Sequence, residues 1–148
     1  MKKFIFVLCM LATLCSCEQN TEKEEDFGYA PKEIAGKTFN TGFYSFKFKS
    51  NTSAEVTGQV ETNTYKVTCS SIKYERTGPN SALLTFDVTM HQNLHKRVEK
   101  STYSITFTSN NSGLFGGDGE YYFIDAYDGT IGKTYYWQSA NENPFSIY

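Results

Sequence analysis

The sequence predicts an all-β fold, an antiparallel up-and-down barrel of about eight strands, on three observations. Short runs alternate large apolar and polar residues with a period of two, which puts one set of side chains on each face of a strand. Clusters of Asn, Ser, Gly and Pro separate these runs at distances suited to hairpins. No stretch after the first sixteen residues carries a helical period. With no helix to cover it, the sheet must bury its apolar face on itself, as a barrel or a two-sheet sandwich.

Taken in order, the strands are expected over residues 44–50, 55–60, 65–74, 83–90, 103–109, 120–126, 131–137 and 145–148. In "YSFKFKS" Tyr44, Phe46 and Phe48 alternate with Ser45, Lys47 and Lys49. In "YSITFTS" Tyr103, Ile105 and Phe107 do the same. These two strands open an internal repeat: "YSFKFKSNTSAEVTG" returns 59 residues later as "YSITFTSNNSGLFGG", with seven of fifteen positions identical. Its centre is a turn, "SNTSA" or "SNNSG", and a related turn, "GPNSA", lies at residues 78–82. Asn tolerates left-handed backbone, Ser bonds back to nearby amides and Pro79 presets its φ. The repeat is therefore read as a hairpin used three times, not as a functional motif. Further reversals are expected at "ETNT" (61–64), "YDGT" (127–130) and "GGDGE" (116–120).

The expected inward residues are Tyr44, Phe46, Phe48, Tyr65, Val67, Leu84, Phe86, Val88, Tyr103, Ile105, Phe107, Phe123 and Trp137, with Cys69 continuing the alternation as a buried thiol. Eight-stranded barrels either fill with their own side chains or leave room for one small ligand. So many large rings fill a lower core, while inward phenols and an indole also suit a ligand cup. Tyr44, Phe46, Tyr65, Phe86, Tyr103, Phe107 and Trp137 are the candidate ligand-binding residues.

Residues 1–16 read as a leader: Lys2 and Lys3 precede an apolar run, residues 4–14, too short to span a bilayer. "LCSC" at 14–17 resembles the lipobox of bacterial lipoproteins, which implies lipidation of Cys17, cleavage before it and attachment to a membrane. Residues 17–32 are then the lipidated Cys and an acidic tether, and 33–148 the barrel. The tether's "EQNTEKEED" resembles the acidic export signal of surface lipoproteins of Bacteroidota, which implies a lipid-anchored outer-membrane protein on the cell surface, the periplasmic face being the alternative. "EIAGKTF" (33–39) is similar to the Gly-x-Trp strand entry of lipocalins and other calycin barrels, with Phe39 in place of the Trp. That resemblance implies a barrel whose mouth binds a small apolar or amphipathic molecule. An immunoglobulin-like sandwich is the alternative, although its paired cysteines and intervening Trp are missing.

Charge and motifs narrow the function classes. Without Lys2 and Lys3, the chain carries 12 basic against 16 acidic side chains, and from residue 27 onward the two balance at eleven each. No basic stripe for nucleic acid is present. Neither a nucleophile elbow, an H-E-x-x-H pair nor a phosphate-cradling loop occurs, so no catalysis and no cofactor are expected. His91 and His95 fall in "TMHQNLHKRVEK", read as a polar loop over 90–100 whose cations disfavour a metal. Asp118, Glu120, Asp125 and Asp128 lack calcium-loop spacing. The second functional reading is a non-catalytic protein- or glycan-interaction module that uses Tyr122, Tyr135 or Tyr136, Tyr148 and the 90–100 loop.

Overall fold

The structure, a computed structural model, describes residues 28–148; the leader, Cys17 and the acidic run lie outside the described residues. Eight strands follow one another in chain order around a closed, wholly antiparallel barrel: β1 (Thr38–Asn40), β2 (Tyr44–Ser50), β3 (Ser53–Val60), β4 (Asn63–Gly78), β5 (Ser81–His91), β6 (His95–Ser109), β7 (Ser112–Asp125) and β8 (Tyr135–Ile147). The up-and-down barrel is therefore the fold, and the sandwich is excluded. Its walls are uneven. β1, β2 and β3 have 3, 7 and 8 residues, whereas β4 to β8 have 11 to 16.

The repeat is architecture. Both copies are hairpins, β2–β3 and β6–β7, in which the leading tyrosine lies across from the closing glycine: Tyr44 opposite Gly58, and Tyr103 opposite Gly117. The β2–β3, β4–β5 and β6–β7 tips each carry a register shift just before the turn, between Phe48 and Ser50, Arg76 and Gly78, and Phe107 and Ser109. No tip residue has positive φ, so these are not the primed turns that match strand twist. The extra residue takes up that twist instead. Each tip then curls onto the next hairpin: the carbonyls of Asn51, Asn80 and Asn111 accept from the backbone amides of Tyr74, Phe107 and Ile147 at 2.7, 2.8 and 2.8 Å.

The three tips together form one end of the barrel, and a strap from the N-terminal side closes it. Ala30 and Ile34 are buried there. The Asn80 and Asn51 side-chain oxygens accept from the amides of Tyr29 and Ile34 at 2.8 and 3.0 Å. Tyr74 and Arg76 donate to the carbonyls of Pro31 and Ala30. Residues 29–32, expected in the tether, thus find backbone partners and a buried face against the barrel.

Above the strap the barrel is filled. Phe39, Tyr44, Phe46, Phe48, Leu84, Phe86, Val88, Ile105, Phe107 and Ile147 are among the buried core side chains, and the rings touch at centroid distances such as 4.6 Å for Phe39–Phe145 and 5.1 Å for Phe46–Phe86. Tyr65, Val67, Cys69 and Trp137 pack against this core but are only partly buried. Cys69 is thus a half-exposed thiol, placed beside a bulge between Cys69 and Ser71 where the inward parity of β4 changes. Phe123 sits higher, half-buried, with its ring edge-on to His95.

Three other expectations are corrected. The 90–100 segment is mostly strand: β5 runs to His91 and β6 begins at His95, because the two ladders continue past the apolar residues. "GGDGE" is no reversal but part of β7. The separate strands at 131–137 and 145–148 are one strand, β8, with Ile131 making only an isolated bridge to Ile124. Between Phe115–Asn143 and Gly117–Ser139, β8 spends two more residues than β7, which lets "QSANENP" stay on the ladder.

Glycine at 117 is dictated by geometry. Its φ is +154°, and a Cβ there would sit 2.0 Å from the Thr102 carbonyl oxygen. Gly117→Ala should lower unfolding free energy by about 3 kcal/mol or more. Gly129→Ala, at φ +76° in open space, should cost only about 1–2 kcal/mol. Urea titrations of both variants check the pair; equal losses contradict the close approach.

Candidate functional site

Ring closure is brief, and the site follows from it. β1 pairs with β8 only through Phe39–Ile147 and Asn40–Ser146. Beyond Asn40 the chain turns sharply: the Asn40 side chain accepts from the Gly42 amide at 2.8 Å, and the Thr41 hydroxyl bridges the Tyr44 amide and carbonyl at 2.9 and 3.0 Å. β8 runs on without a β1 neighbour above Ser146. Between the β1–β2 turn and β8 a cleft of about 850 Å³ opens into the barrel, within the range of small-molecule sites.

The cleft has an aromatic wall and one charged pair. Phe43, Tyr103, Phe115, Tyr121, Trp137 and Phe145 line it, with Asn40, Ser139 and Asn143 among the polar groups; among the described residues, Arg97 and Glu99 are the only charged ones on it. Tyr103 stands 4.8 Å from Phe115 and 5.9 Å from Trp137 between ring centroids. Strand parity explains the pair: residues 97, 99, 101, 103, 105 and 107 of β6 all point inward, so Arg97, Glu99 and Ser101 continue the row begun by Phe107, Ile105 and Tyr103.

Glu99, 2% exposed, is held on both oxygens. Its Oε2 accepts from the Tyr44 hydroxyl at 2.9 Å and from Arg97 Nε at 3.0 Å, with Arg97 Nη2 in ion-pair contact at 2.8 Å, while Oε1 accepts from the Ser101 hydroxyl at 2.8 Å. The Arg97 guanidinium lies over the Tyr121 ring, 3.9 Å from its centroid, with Phe43 at 5.1 Å. Tyr121 stacks in turn on Tyr135. The guanidinium is thus a plate fixed by a carboxylate on one edge and a ring on one face, both favourable for Arg. Burial, and then the Glu99 charge, push the Tyr44 and Tyr103 hydroxyls far above their usual range, with Arg97 opposing. Trp137 Nε1 is buried without a partner. It lies over Gly119, where a Cβ would meet it at 2.8 Å.

Of the seven candidate ligand residues, Tyr103 and Trp137 line this cleft. Tyr44 reaches it only by orienting Glu99. Phe46, Phe86 and Phe107 are core, and Tyr65 packs on the core from the β4 side, away from the cleft. Arg97, Glu99, Phe43, Phe115 and Tyr121 were missed. The signal that finds the first two is the β6 parity, carried on through polar residues.

The other singled-out groups have local roles. His91 Nε2 meets the Thr68 hydroxyl at 3.0 Å, and among the described residues no cluster of three or more potential metal ligands occurs. Asp125 accepts from the amides of Tyr127 and Asp128, and Asp128 from Thr130, which depresses its carboxyl. Burial, and then Asp87, raise the Cys69 thiol. Tyr122 is half-buried; Tyr135 belongs to the mouth through its stack on Tyr121; Tyr136 and Tyr148 are exposed. Tyr136 borders a second hollow of about 720 Å³ on the outer face, with Asp87, Lys100, Asp118, Glu120 and Gln138.

No protein-family model matches this chain, and no curated protein or solved structure is similar enough to count as a match.

Two outcomes follow. Arg97→Met leaves Glu99 buried and uncompensated and should cost about 3–5 kcal/mol, whereas Arg97→Met with Glu99→Gln should recover most of it; a double-mutant cycle in urea reads this directly. Stability should also fall from about pH 10 upward. Unfolded tyrosines release their protons near 10, while Tyr44, Tyr74 and Tyr103 keep theirs in the fold, Tyr74 until about 12. Urea midpoints between pH 8 and 12 test it, with Tyr74→Phe expected to flatten the decline.

Proposed function

We propose that this protein is a lipid-anchored protein of the bacterial outer membrane, displayed at the cell surface, whose lipocalin-like barrel binds one small amphipathic molecule in its mouth without catalysis. The observation that carries the binding role is the aromatic cleft above a filled core, with a single neutralised charge pair within it. A structural barrel has no need of a buried Arg–Glu pair, which contributes little net stability after desolvation. Lipidation at Cys17 rests on the leader and the "LCSC" stretch.

The polarity of the barrel agrees with this arrangement. Gly28 abuts the Pro79 tip, at the closed end. The described chain begins at this end, opposite the cleft, which supports a reading in which the mouth is free to receive ligand. The hollow beside Tyr136 supports a second reading, an interaction face for a protein or glycan partner.

Intact and denatured mass spectrometry of the full chain, extracted from its own membrane, tests both parts. The expected denatured mass begins at Cys17 and carries acyl chains, and Cys17→Ala abolishes them. The expected native mass carries an additional small adduct that denaturation removes and Trp137→Ala weakens. A chain without acyl groups overturns the anchor; a native mass without adduct favours the Tyr136 face.

A further inference from the structure

Resting on the reading of the cleft as a ligand cup, we infer that its ligand is an amphipathic organic acid: an aromatic or apolar body bearing one carboxylate or sulfonate, whose oxygens are received by Arg97. The charge pair is neutral as a whole, so the argument turns on which of its hydrogen-bonding groups are still free. Glu99 is spent. Three hydrogen bonds, from Tyr44, Ser101 and Arg97 Nε, and the Nη2 ion pair hold its two oxygens, and at 2% exposure it is out of a ligand's reach. It has nothing left to offer a ligand amine or hydroxyl.

Arg97 is in the opposite state. Nε and Nη2 face Glu99, whereas Nη1 has no partner among the described residues, and the side chain keeps 19% of its surface exposed on the cleft. Two further donors in the cleft wall lack acceptors: the Tyr103 hydroxyl makes no hydrogen bond among the described residues, and Trp137 Nε1 is buried unpaired. The charged end of the cleft therefore has donors in excess and its only carboxylate consumed. An acceptor-rich anion complements that imbalance, and a cation finds no free charge to pair with. The Phe43, Tyr103, Phe115 and Trp137 rings supply the apolar remainder of the site. Tyr121 and Glu99 already hold the guanidinium in place, so a ligand does not pay to order it.

A matched pair of probes tests the acid. 1-Anilinonaphthalene-8-sulfonate and its uncharged parent N-phenyl-1-naphthylamine share one skeleton, and Trp137, the only tryptophan of the chain, reports by energy transfer a probe bound near it; because Trp137 borders both hollows, a cleft-bound probe is one whose signal Tyr136→Ala leaves unchanged. The full chain in detergent is expected to bind the sulfonate about tenfold more tightly than the parent. Arg97→Met with Glu99→Gln, checked for cooperative unfolding, should bring the two affinities together by weakening the sulfonate alone. Should that variant fail to fold, competition in the unaltered protein decides: 1-naphthoate should displace the sulfonate and methyl 1-naphthoate should not. Equal affinities for both probes, each with energy transfer, would refute the acid and leave the ligand cup standing. Absence of energy transfer with either probe would overturn the cup itself.

Discussion

The three-residue length of β1 is the constraint on which the rest of the molecule depends. A barrel closes only where its first and last strands pair, and here that seam amounts to two residue pairs and the reciprocal amide–carbonyl bonds of Thr38 and Tyr148, 2.7 and 3.1 Å. Below the seam the interior is sealed, and rings from β1, β2, β5, β6 and β8 fill it. Above the seam β8 has no β1 neighbour, and the interior communicates with the outside through the cleft. Had β1 matched the 13 residues of β8, the Asn40–Ser146 side of the barrel would be a continuous wall. The Asn40, Thr41 and Gly42 turn therefore acts on function at one remove, by ending a strand.

A filled end and an open end impose different chemistry on the same strands. β6 passes from Phe107 and Ile105 through Tyr103 to Ser101, Glu99 and Arg97 without changing face, so polarity rises along one inward row as the barrel opens. Buried polar groups cost free energy unless paired, and here both oxygens of Glu99 are paired while Arg97 and Trp137 keep unpaired donors among the described residues. The tyrosine that opens each copy of the repeat links the two zones. Tyr44 is a core ring, edge-on to Phe86, whose hydroxyl reaches Glu99; Tyr103 is its counterpart in the second copy, and its hydroxyl is left to the cleft. One scaffold unit, used twice, thus supplies a structural phenol once and an available one once.

The sequence made the barrel legible because period-two alternation and Asn-Ser turns are local signals. The three bulged tips look alike in sequence because they perform the same bend, and six of the eight strands flank them; the expected count of eight comes from dividing β8 in two while β1 goes unread. The site was legible only in part, since its two recognised members, Tyr103 and Trp137, are aromatic. Arg97 and Glu99 were assigned to a loop because charged residues on a strand's inner face look, one residue at a time, like the end of the strand. β8 was divided at "QSANENP" for a related reason. A last strand with one unpaired edge accepts Pro144, whose missing amide costs nothing there, and its extra residues are absorbed opposite Gly116 and Gly117.

Tertiary pairing thus overrides composition at the positions that line the cleft, and it does so for a physical reason. A residue in a continuous ladder keeps its backbone hydrogen bonds whatever its side chain, so β6 and β7 extend upward together and carry Arg97 and Tyr121 into mutual contact across the sheet. Neither residue is marked by its neighbours in the chain. Their relation appears once the Glu99–Tyr121 register is known, and that register is set about thirty ångströms away along the strands, at about 3.3 Å per residue, by the Asn110–Asn111 tip. The repeat, read as a turn, is also what aligns the charged and aromatic residues of the cleft.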